Sequence, residues 1–428
     1  MRRNGRRRFS LGTLLMILLT AGVILASMAF LVVITGGRMP ERVEAEMILP
    51  AAAQARDAAP RPEPQTTAMM EAEPTVQPTP SPTAAPSRSF LTLAAAGSVY
   101  APKAVRESAQ ENGDHYDFSG IFDGLGDTLS RADLAIVTLE TTTAGRERGY
   151  GNYNTPPQVL DALRGCGVDL ASLATEHILD KGYEGLDLTL SELTSRALAY
   201  AGVSPEGPKD SPAAMLNIDG VQAAVLAYSY GLSDEGREKT NGDERGVLSM
   251  LEIETMVQDI TKARADGAEL VIVLPHWGTK NKREIPDSVR SMARILAEAG
   301  ADVILGTHPN VVQETERLTV TRRDGLEYET VVCYSLGSLL TDARTEENTA
   351  GMAIFLPVEY DPMLRRVTLG ELDIVPLYVA RQREGRRTVY HVVNAEDEAM
   401  LESLDKGEQE AARRAAEIVR AAAGQEEP

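Results

Sequence analysis

The sequence predicts an α/β fold, because short apolar runs alternate with helix-like segments between residues 90 and 379. The apolar runs are rich in Val, Ile and Leu and predict buried strands at 90–97, 133–140, 168–174, 222–230, 269–275, 301–306 and 329–337. The helix-like segments span 156–167, 183–197, 251–267 and 286–300, and several of them end at Gly. A hydrophobic content of 43% is ample for a packed core.

The C-terminal part of the chain has a different pattern. Segments 350–361, 373–382 and 386–393 predict antiparallel strands, and the Ala-, Glu- and Arg-rich stretch 395–423 predicts a surface helix. We therefore place one folded domain at residues 89–393 and a C-terminal helix and tail at 394–428.

The N-terminus predicts a membrane anchor. A basic tail with five arginines at residues 1–10 precedes an almost uncharged stretch at 11–36. That stretch is long enough to cross a bilayer as a transmembrane helix, and the arginines favour a cytoplasmic N-terminus. We predict a single-pass cell-membrane protein with an extracytoplasmic C-terminal domain. The alternative is a cleaved signal peptide with small residues at 26–29. The Pro- and Ala-rich segment 37–88 predicts a disordered linker.

Charge and cysteine content narrow the functional class. The net charge of −20 argues against nucleic acid as a partner, because phosphate backbones attract basic surfaces. The two cysteines, Cys166 and Cys333, form neither a disulfide framework nor a zinc ribbon. Both lie in apolar surroundings, which favours buried free thiols over a disulfide pair.

Four apolar runs end in residues that can bind metal or move protons. Ligands of an open α/β sheet bind beyond the carboxyl ends of its strands. One shared site is therefore expected, and it includes three of the five histidines in the chain. The residues at these ends are Glu140, Thr175, Glu176, His177, His276, Thr307 and His308.

The strand-end motifs, in their order and spacing, resemble the CapA family of bacterial poly-γ-glutamate capsule synthesis proteins over about residues 90–379. The motifs are Gly97-Ser98, Thr138-Leu139-Glu140, Ala174-Thr175-Glu176-His177 with Asp180 and Gly182, His276-Trp277-Gly278, Gly306-Thr307-His308-Pro309-Asn310 with Gln313, and Tyr334-Ser335-Leu336-Gly337-Ser338. The resemblance implies a metallophosphatase-like four-layer sandwich, in which two packed mixed sheets are flanked by helices and carry a two-metal site at the strand ends.

Several motif positions depart from the family pattern. The family's Asp after the first strand is replaced, as is the Asn before Leu139. The Asn-Asn pair before His177, the last His of His-Pro-His and the final Asn are replaced too. An acidic position after His-Trp-Gly is replaced by a basic stretch. The residues present at these places are Ser98, Thr138, Thr175, Glu176, Asn310, Ser338, Lys280, Lys282 and Arg283.

These departures bear on the metal site that the resemblance implies. A two-metal site needs a bridging carboxylate, and Ser98 removes it, although Glu176 can compensate in part. The alternatives are a two-metal site, a single divalent metal (Mn, Zn or Fe) and no metal. The implied metal ligands are Glu140, Glu176, His177, His276 and His308, with catalytic roles for His177 and His276.

Each candidate residue also has a structural interpretation. His177 can be a hydrogen-bonding residue at the start of a helix, with Asp180 accepting from the backbone. His276 can be a packed core histidine beside Trp277, His308 can order a turn, and Glu140 can be a solvated carboxylate. His115 and His391 lie outside the motifs and are expected at the surface.

The basic loop after His276 predicts anion binding. Lys280, Lys282 and Arg283 stand out in an acidic chain and can hold phosphate or a polycarboxylate, with Arg146 and Arg148 beside them. The alternative is a solvated loop.

Two hypotheses for function follow. The first is a membrane-anchored CapA-like protein of capsule or envelope polysaccharide or polyglutamate biosynthesis, with weakened or lost metal-dependent hydrolase chemistry. Its expected partners are an anionic envelope polymer and capsule-synthesis membrane proteins. The alternative is an active metal-dependent phosphoester or amide hydrolase of the envelope.

Overall fold

A computed structural model describes residues 87–125, 128–204, 213–242 and 247–424. The predicted basic tail, the transmembrane segment at 11–36 and nearly all of the linker lie outside these ranges. Within them, no helix combines the length and the apolar character that crossing a bilayer requires.

The first of two large sheets, sheet 1, mixes parallel and antiparallel strands. Its strand order is β17-β16-β14-β1-β4-β5-β6, and β13 and β15 pair with β1 and β14. Strands β1, β4, β5 and β6 are mutually parallel, whereas β14, β16 and β17 add antiparallel neighbours. The strands are β1 (Ser89–Val99), β4 (Leu134–Leu139), β5 (Leu170–Ser172), β6 (Ala199–Ala201), β13 (Ser338–Leu340), β14 (Ala350–Asp361), β15 (Arg366–Leu369), β16 (Asp373–Glu384) and β17 (Arg387–Asn394).

The second sheet, sheet 2, is parallel in its centre and closed by a hairpin at each edge, in the order β11-β12-β10-β9-β8-β7. Its strands are β7 (Ala214–Ile218), β8 (Val221–Ser229), β9 (Leu270–His276), β10 (Val303–Leu305), β11 (Thr315–Thr321) and β12 (Glu327–Cys333). A small hairpin pairs β2 (Gln110–Asn112) with β3 (His115–Tyr116).

Helices connect and cover the strands. They are α1 (Lys103–Ala109), α2 (Ser119–Phe122), α3 (Gln158–Gly165), α4 (Gly182–Ser195), α5 (Asp234–Thr240), α6 (Ile253–Ala265), α7 (Asp287–Ala299), α8 (Glu346–Thr349), α9 (Glu398–Glu402) and α10 (Lys406–Ala422). Single 3₁₀ turns lie at Asp123–Leu125, Leu129–Arg131 and Arg146–Arg148.

Sheet 2 is buried on both faces, which explains the continuous apolar runs of its strands. In β9, Leu270, Ile272 and Leu274 belong to the core shared with β1 of sheet 1. The alternate residues Val271 and Val273 pack into a second core with α6 and α7. Because side chains alternate along a strand, this division shows two packed sheets with helices outside. The expected sandwich of two mixed sheets flanked by helices is confirmed.

The C-terminal helix α10 is amphipathic rather than wholly superficial. Ala412, Ala415 and Val419 are buried, and the helix lies against β14 and β16. Cys166 and Cys333 are buried free thiols, as predicted.

Candidate metal centre

The motif residues of both sheets meet at one edge, beyond the carboxyl ends of the parallel strands. In sheet 1, Ser98 lies beside Thr138 of β4 and Ser338 of β13. In sheet 2, His276 ends β9 and forms a bridge to Thr307, which follows β10. The pairing of the strands therefore brings the strand-end residues to one place, and their function as one shared site stays a prediction.

Glu176 is the centre of the cluster. Its Oε2 lies 2.5 Å from Nε2 of His276. Its Oε1 lies 3.3 Å from Nδ1 of His308 and 3.6 Å from Nε2 of His177. One buried carboxylate thus contacts all three strand-end histidines.

Two groups of metal-ligating atoms share this carboxylate. Glu176, His276 and His308 form one group, and Glu140, Glu176 and His177 form the other. In each group the ligand atoms lie within 4.8 Å of one another. The structure therefore brings all five predicted metal ligands together. Glu176 lies in both groups, where one carboxylate can be shared by two metal positions. Their role as ligands stays a prediction.

Glu140 is fully buried, and neither carboxylate oxygen has a hydrogen-bond partner among the described residues. It is therefore not the solvated carboxylate of the alternative interpretation. Burial, together with the negative charge of Glu176, raises the pKa of Glu140 to about 8. A buried carboxylate without partners is unfavourable, and a coordinated cation would remove that cost.

Other buried polar atoms around the cluster also lack partners within the part of the chain that the structure describes. They belong to positions of the strand-end motifs, and both hydroxyl and amide groups contribute. Such a concentration at one place fits a site whose cation and water molecules complete the hydrogen bonding. The atoms are Oγ of Ser98, Oγ1 of Thr175, Oδ1 of Asn310 and Oγ of Ser338.

His276 is held on both ring nitrogens. Its Nδ1 lies 2.9 Å from Oγ1 of Thr307, opposite the contact between Nε2 and Glu176. Burial and the neighbouring histidines lower the pKa of His276 against the opposing effect of Glu176. Burial alone would raise the pKa of Glu176, but its contacts with His276 and His308 lower it. A neutral imidazole beside an ionised carboxylate is the state that binds metal.

His177 is positioned by contacts that the sequence analysis did not foresee. Its Nδ1 lies 2.8 Å from Oδ2 of Asp180, and its ring stacks on Tyr153 at 3.3 Å between centroids. Asp180 also accepts a hydrogen bond from Ser233. The expectation that Asp180 accepts a hydrogen bond from the backbone is corrected. The Asp180 carboxylate contacts Nδ1 of His177 and so orients the ring, with Nε2 of His177 facing Glu176. The i, i+3 spacing of this pair was the available signal.

The turn after β10 has an unusual backbone. His308 has φ +97° and Asn310 has φ +56°, values that favour glycine. Pro309 between them accepts a hydrogen bond from the backbone of Asn281. Backbone strain of this kind is found at functional sites, where surrounding contacts maintain it.

Tyr230, which follows β8, was missed by sequence reasoning. Its ring lies 4.5 Å from that of His308 and 6.4 Å from that of His276, and the side chain is 47% exposed. Burial raises the pKa of Tyr230, and the negative charge of Glu176 raises it further. An apolar run that ends in Ser-Tyr gives little indication that the tyrosine ring packs against the histidines of the cluster.

The predicted anion-binding residues lie at the rim. Lys280, Lys282 and Arg283 are exposed on the loop that is tied to the turn after β10. The positive charge of Lys280 opposes the rise in the pKa of Glu140, so Lys280 is within electrostatic reach of the cluster. Arg146 and Arg148 instead pair with Asp114 and Glu184.

His115 is exposed, as expected. His391 is only half-buried and hydrogen-bonds through Nδ1 to the carbonyl of Gly120, at 3.1 Å. It therefore holds the segment at Gly120 rather than lying free at the surface.

The fold is two packed mixed sheets that bring carboxylates and histidines together at the strand ends, which is the arrangement of a candidate metal site. Residues 92–343 match the family described as "Bacterial capsule synthesis protein PGA_cap". This match covers more than half of the chain, and the protein belongs to that family.

Named relatives agree with this assignment. The chain is 25% identical over 298 residues to the capsule biosynthesis protein CapA of Bacillus anthracis, covering 68% of this chain and 67% of the relative. It is 27% identical over 231 residues to the PGA biosynthesis protein CapA of Bacillus subtilis, covering 53% and 55%. A probable polyglutamine synthesis accessory protein of Mycobacterium tuberculosis is 26% identical over 196 residues, covering 42% and 51%. The chain thus spans about half the length of two of these relatives.

Solved structures with a similar arrangement are distant. A phosphatase of Mycoplasma pneumoniae is 13% identical with a TM-score of 0.41, covering 68% of this chain and 95% of that one. The calcineurin-like phosphoesterase YfkN of Bacillus subtilis is 11% identical with a TM-score of 0.41, covering 78% and 98%. The family assignment rests on the sequence match alone.

Proposed function

We propose that this protein works outside the cytoplasm in the synthesis of a bacterial capsule or envelope polymer. In this proposal it is anchored by the N-terminal segment, binds divalent cation at the strand-end cluster and holds an anionic polymer beside it. Membership of the capsule synthesis family and the names of its relatives support the polymer. The exposed basic residues at the rim of the cluster, Lys280, Lys282 and Arg283, support an anionic polymer.

The observation that carries the proposal is the buried carboxylate of Glu140. It is 0% exposed, has no hydrogen-bond partner in the described ranges, and lies in a ligand group with Glu176 and His177. This donor set of carboxylates and imidazoles suits Mn, Zn or Fe. The residues present therefore fit a divalent metal.

The chain's own residues have separate tasks in this site. Thr307 and Asp180 orient His276 and His177, and Tyr153 packs on the His177 ring. A divalent cation supplies Lewis-acid chemistry when it is bound. Lys280 attracts carboxylate or phosphate groups of the polymer, because charges near the cleft raise the local concentration of oppositely charged ligands.

We further propose that hydrolysis is weakened relative to a full two-metal site. Ser98 and Asn310 supply a hydroxyl and an amide where the family pattern has a carboxylate and an imidazole. One observation favours the second candidate, an active phosphoester or amide hydrolase: Glu176 belongs to both ligand groups and can replace the bridging carboxylate.

Metal content tests the first part of the proposal. The purified full chain is incubated with Mn, Zn and Fe, desalted and measured by mass spectrometry. We expect about one or two equivalents of metal, lost in Glu140→Gln and in His276→Ala. His115→Ala is the control, because this exposed histidine lies outside the cluster. If the native chain retains no metal after desalting, the proposal is contradicted.

Polymer binding tests the second part. Binding of poly-γ-glutamate to the full chain is measured with Mn and with a chelator. We expect weaker binding in the chelator, and at least about tenfold weaker binding when Lys280, Lys282 and Arg283 become Gln. The control triple, with the same change of charge, replaces Arg383, Arg386 and Lys406 with Gln; these exposed residues lie on the β16–β17 hairpin and α10. Equal binding by both triples would end the polymer proposal.

The same samples separate the two candidate functions. Metal-loaded chain that releases phosphate or amine from model esters or amides, with loss in His276→Ala, supports the hydrolase. Metal-loaded chain that binds polymer without turnover supports the weakened site.

A further inference from the structure

A cavity lies at the opposite end of the described domain from the metal cluster. It has a volume of about 340 Å³ and is lined by residues that precede β9 and β10, by the β11–β12 hairpin and by the β14–β15 hairpin. The cluster lies beyond the other ends of β9 and β10. The cavity is therefore separate from the site described above.

The lining of this cavity has five arginines and four acidic residues, and is therefore slightly positive in a chain whose net charge is −20. Two of the arginines, Arg264 and Arg322, bind Asp302 at 2.5 and 3.0 Å and are structural. No ion pair to a carboxylate is formed by the other three within the described residues. The arginines of the lining are Arg264, Arg322, Arg323, Arg365 and Arg366.

Two guanidinium groups lie around one aromatic ring. Arg322 is 4.3 Å and Arg366 is 4.8 Å from the ring centroid of Tyr328. Arg366 also donates to the carbonyl of Glu327 at 2.7 Å, which joins the two hairpins. Arg322 is already paired with Asp302, so the charge that remains for an anion here is that of Arg366, and arginine matches phosphate in geometry.

The lining also contains four acidic residues, Glu269, Glu298, Asp302 and Asp324. Asp302 pairs with Arg264 and Arg322, and Glu298 is exposed to solvent. Asp324 accepts from the hydroxyl of Tyr328 at 2.6 Å and from the backbone of Leu326. Glu269 accepts from the backbone of Gln222. They reduce the positive charge of the cavity. Arg323 is exposed and stays available to a ligand, whereas Arg365 lies beside the hydroxyl of Tyr360.

The two hairpins also present apolar side chains to solvent. Leu326 is 52% exposed, Met363 is 71% exposed and Leu364 is 70% exposed. Leu326 lies between the cavity residues Asp324 and Tyr328, and Leu364 directly precedes Arg365. Apolar side chains at turn tips beside arginines are the composition of surfaces that lie in the headgroup region of a membrane.

The N-terminal side of the described chain enters at this same end. Arg88 pairs with Glu359 at 2.5 Å and with Asp361 at 3.1 Å, next to the β14–β15 turn. Phe90 on the adjoining strand is 67% exposed. The segment that carries the sequence-predicted anchor therefore joins the domain beside the exposed apolar residues.

We propose that this end of the domain docks on an anionic lipid surface, with a phosphate headgroup in the arginine cavity and Leu326, Met363 and Leu364 in the interface. The binding partner proposed for this surface is therefore the membrane itself. This inference goes beyond the proposed function, because it uses none of the strand-end residues. Strand β1 has 11 residues, so the metal cluster would lie roughly 35 Å from the lipid and face away from it.

An environment-sensitive fluorophore at position 364 tests the docking. The full chain with Leu364→Cys is labelled and placed in nanodiscs of phosphatidylcholine alone, or of equal parts of phosphatidylcholine and phosphatidylglycerol. Both native cysteines are buried, so labelling is selective. We expect a blue shift of emission in the anionic discs. A label at Leu188→Cys on α4 controls for general effects.

Charge variants give the second measurement. Replacing Arg323, Arg365 and Arg366 with Gln is expected to lower the docked fraction at least about tenfold. The control triple on the β16–β17 hairpin and α10 is expected to dock normally. Arg323→Gln alone removes one cavity charge without removing a structural contact. A smaller but measurable loss of the docked fraction is therefore expected in this variant, even if the triple variant is unstable.

Several outcomes would overturn the proposal. Equal emission in both lipids would exclude recognition of the anionic headgroup. A lipid-independent signal that rises with protein concentration would assign the surface to a second copy of the chain. Binding of inorganic phosphate in detergent, without a lipid response at position 364, would make free phosphate the ligand.

Discussion

At the scale of the residue, Glu140 is a fully buried carboxylate at the candidate metal centre. It follows a buried strand and lies in a region where nothing among the described residues donates a hydrogen bond to it. Its neighbour Glu176, only slightly more exposed, is surrounded by imidazoles. The two carboxylates therefore have opposite pKa shifts, raised for Glu140 and lowered for Glu176.

The raised pKa of Glu140 predicts a pH dependence of stability in metal-free chain. Its pKa is raised from 4.5 to about 8, so between these values the folded chain keeps a proton that the unfolded chain has lost. Stability is thus lost as pH rises. Below pH 6.5 the lowered pKa of His276 gives the opposite trend. From pH 6.5 to 8 we expect the free energy of unfolding to fall by up to about 2 kcal/mol.

Urea unfolding in the presence of a chelator measures this effect. Glu140→Gln cannot ionise, and the fall between pH 6.5 and 8 is expected to disappear in this variant. If the variant and the native chain show the same slope, another group is responsible and the raised pKa of Glu140 is wrong.

At the scale of the element, close contacts fix the turns that carry the histidines. Gly306 ends the β10 segment directly before Thr307 and His308. A Cβ atom at Gly306 would lie 2.0 Å from the carbonyl oxygen of Tyr334 and 2.4 Å from Nε1 of Trp277. These two atoms are hydrogen-bonded to each other at 2.9 Å. The turn therefore depends on the absence of a side chain at this position.

Gly306→Ala is expected to destabilise the fold by at least about 2 kcal/mol, because it must break that hydrogen bond or displace the strand. Gly407 is the matched control: it lies in α10 with no atom near its Cβ position. Gly407→Ala is expected to be neutral or to stabilise by up to about 1 kcal/mol. Denaturant unfolding gives both values, and a neutral Gly306→Ala would contradict the close packing of this turn.

At the scale of the whole molecule, the candidate metal centre connects the two sheets. Glu140, Glu176 and His177 follow strands of sheet 1, whereas His276 and His308 belong to the ends of sheet 2. A cation held by both sets would stabilise the packing of the sheets, because only the folded chain brings these ligands together.

Metal is therefore expected to raise the stability of the whole domain. At one hundred times the dissociation constant, Mn or Zn should add about 2.7 kcal/mol to the free energy of unfolding. Glu140→Gln in sheet 1 and His308→Ala in sheet 2 should each remove this gain. Thermal unfolding with metal and with a chelator measures it. A gain that survives either change would place the metal on one sheet only.

Much of the fold was predictable because it follows from local pattern. The buried strands are continuous apolar runs, and helices such as α6 and α7 have strong periodicity and end at or near Gly. Strand β11 was missed because its residues alternate between buried and exposed in a polar sequence. The short helix α1 and strand β13 offer too few residues for a periodic signal.

The sequence by itself determined that carboxylates and histidines stand at the ends of buried strands, because residue type and hydrophobic pattern are local properties. Only the tertiary structure decided that Glu176 lies among three histidines, that Glu140 has no partner and that Tyr153 and Tyr230 flank the cluster. These facts depend on which strands pair and in which register. Similar apolar strands do not encode that choice locally, and it is made by the packing of both sheets at once.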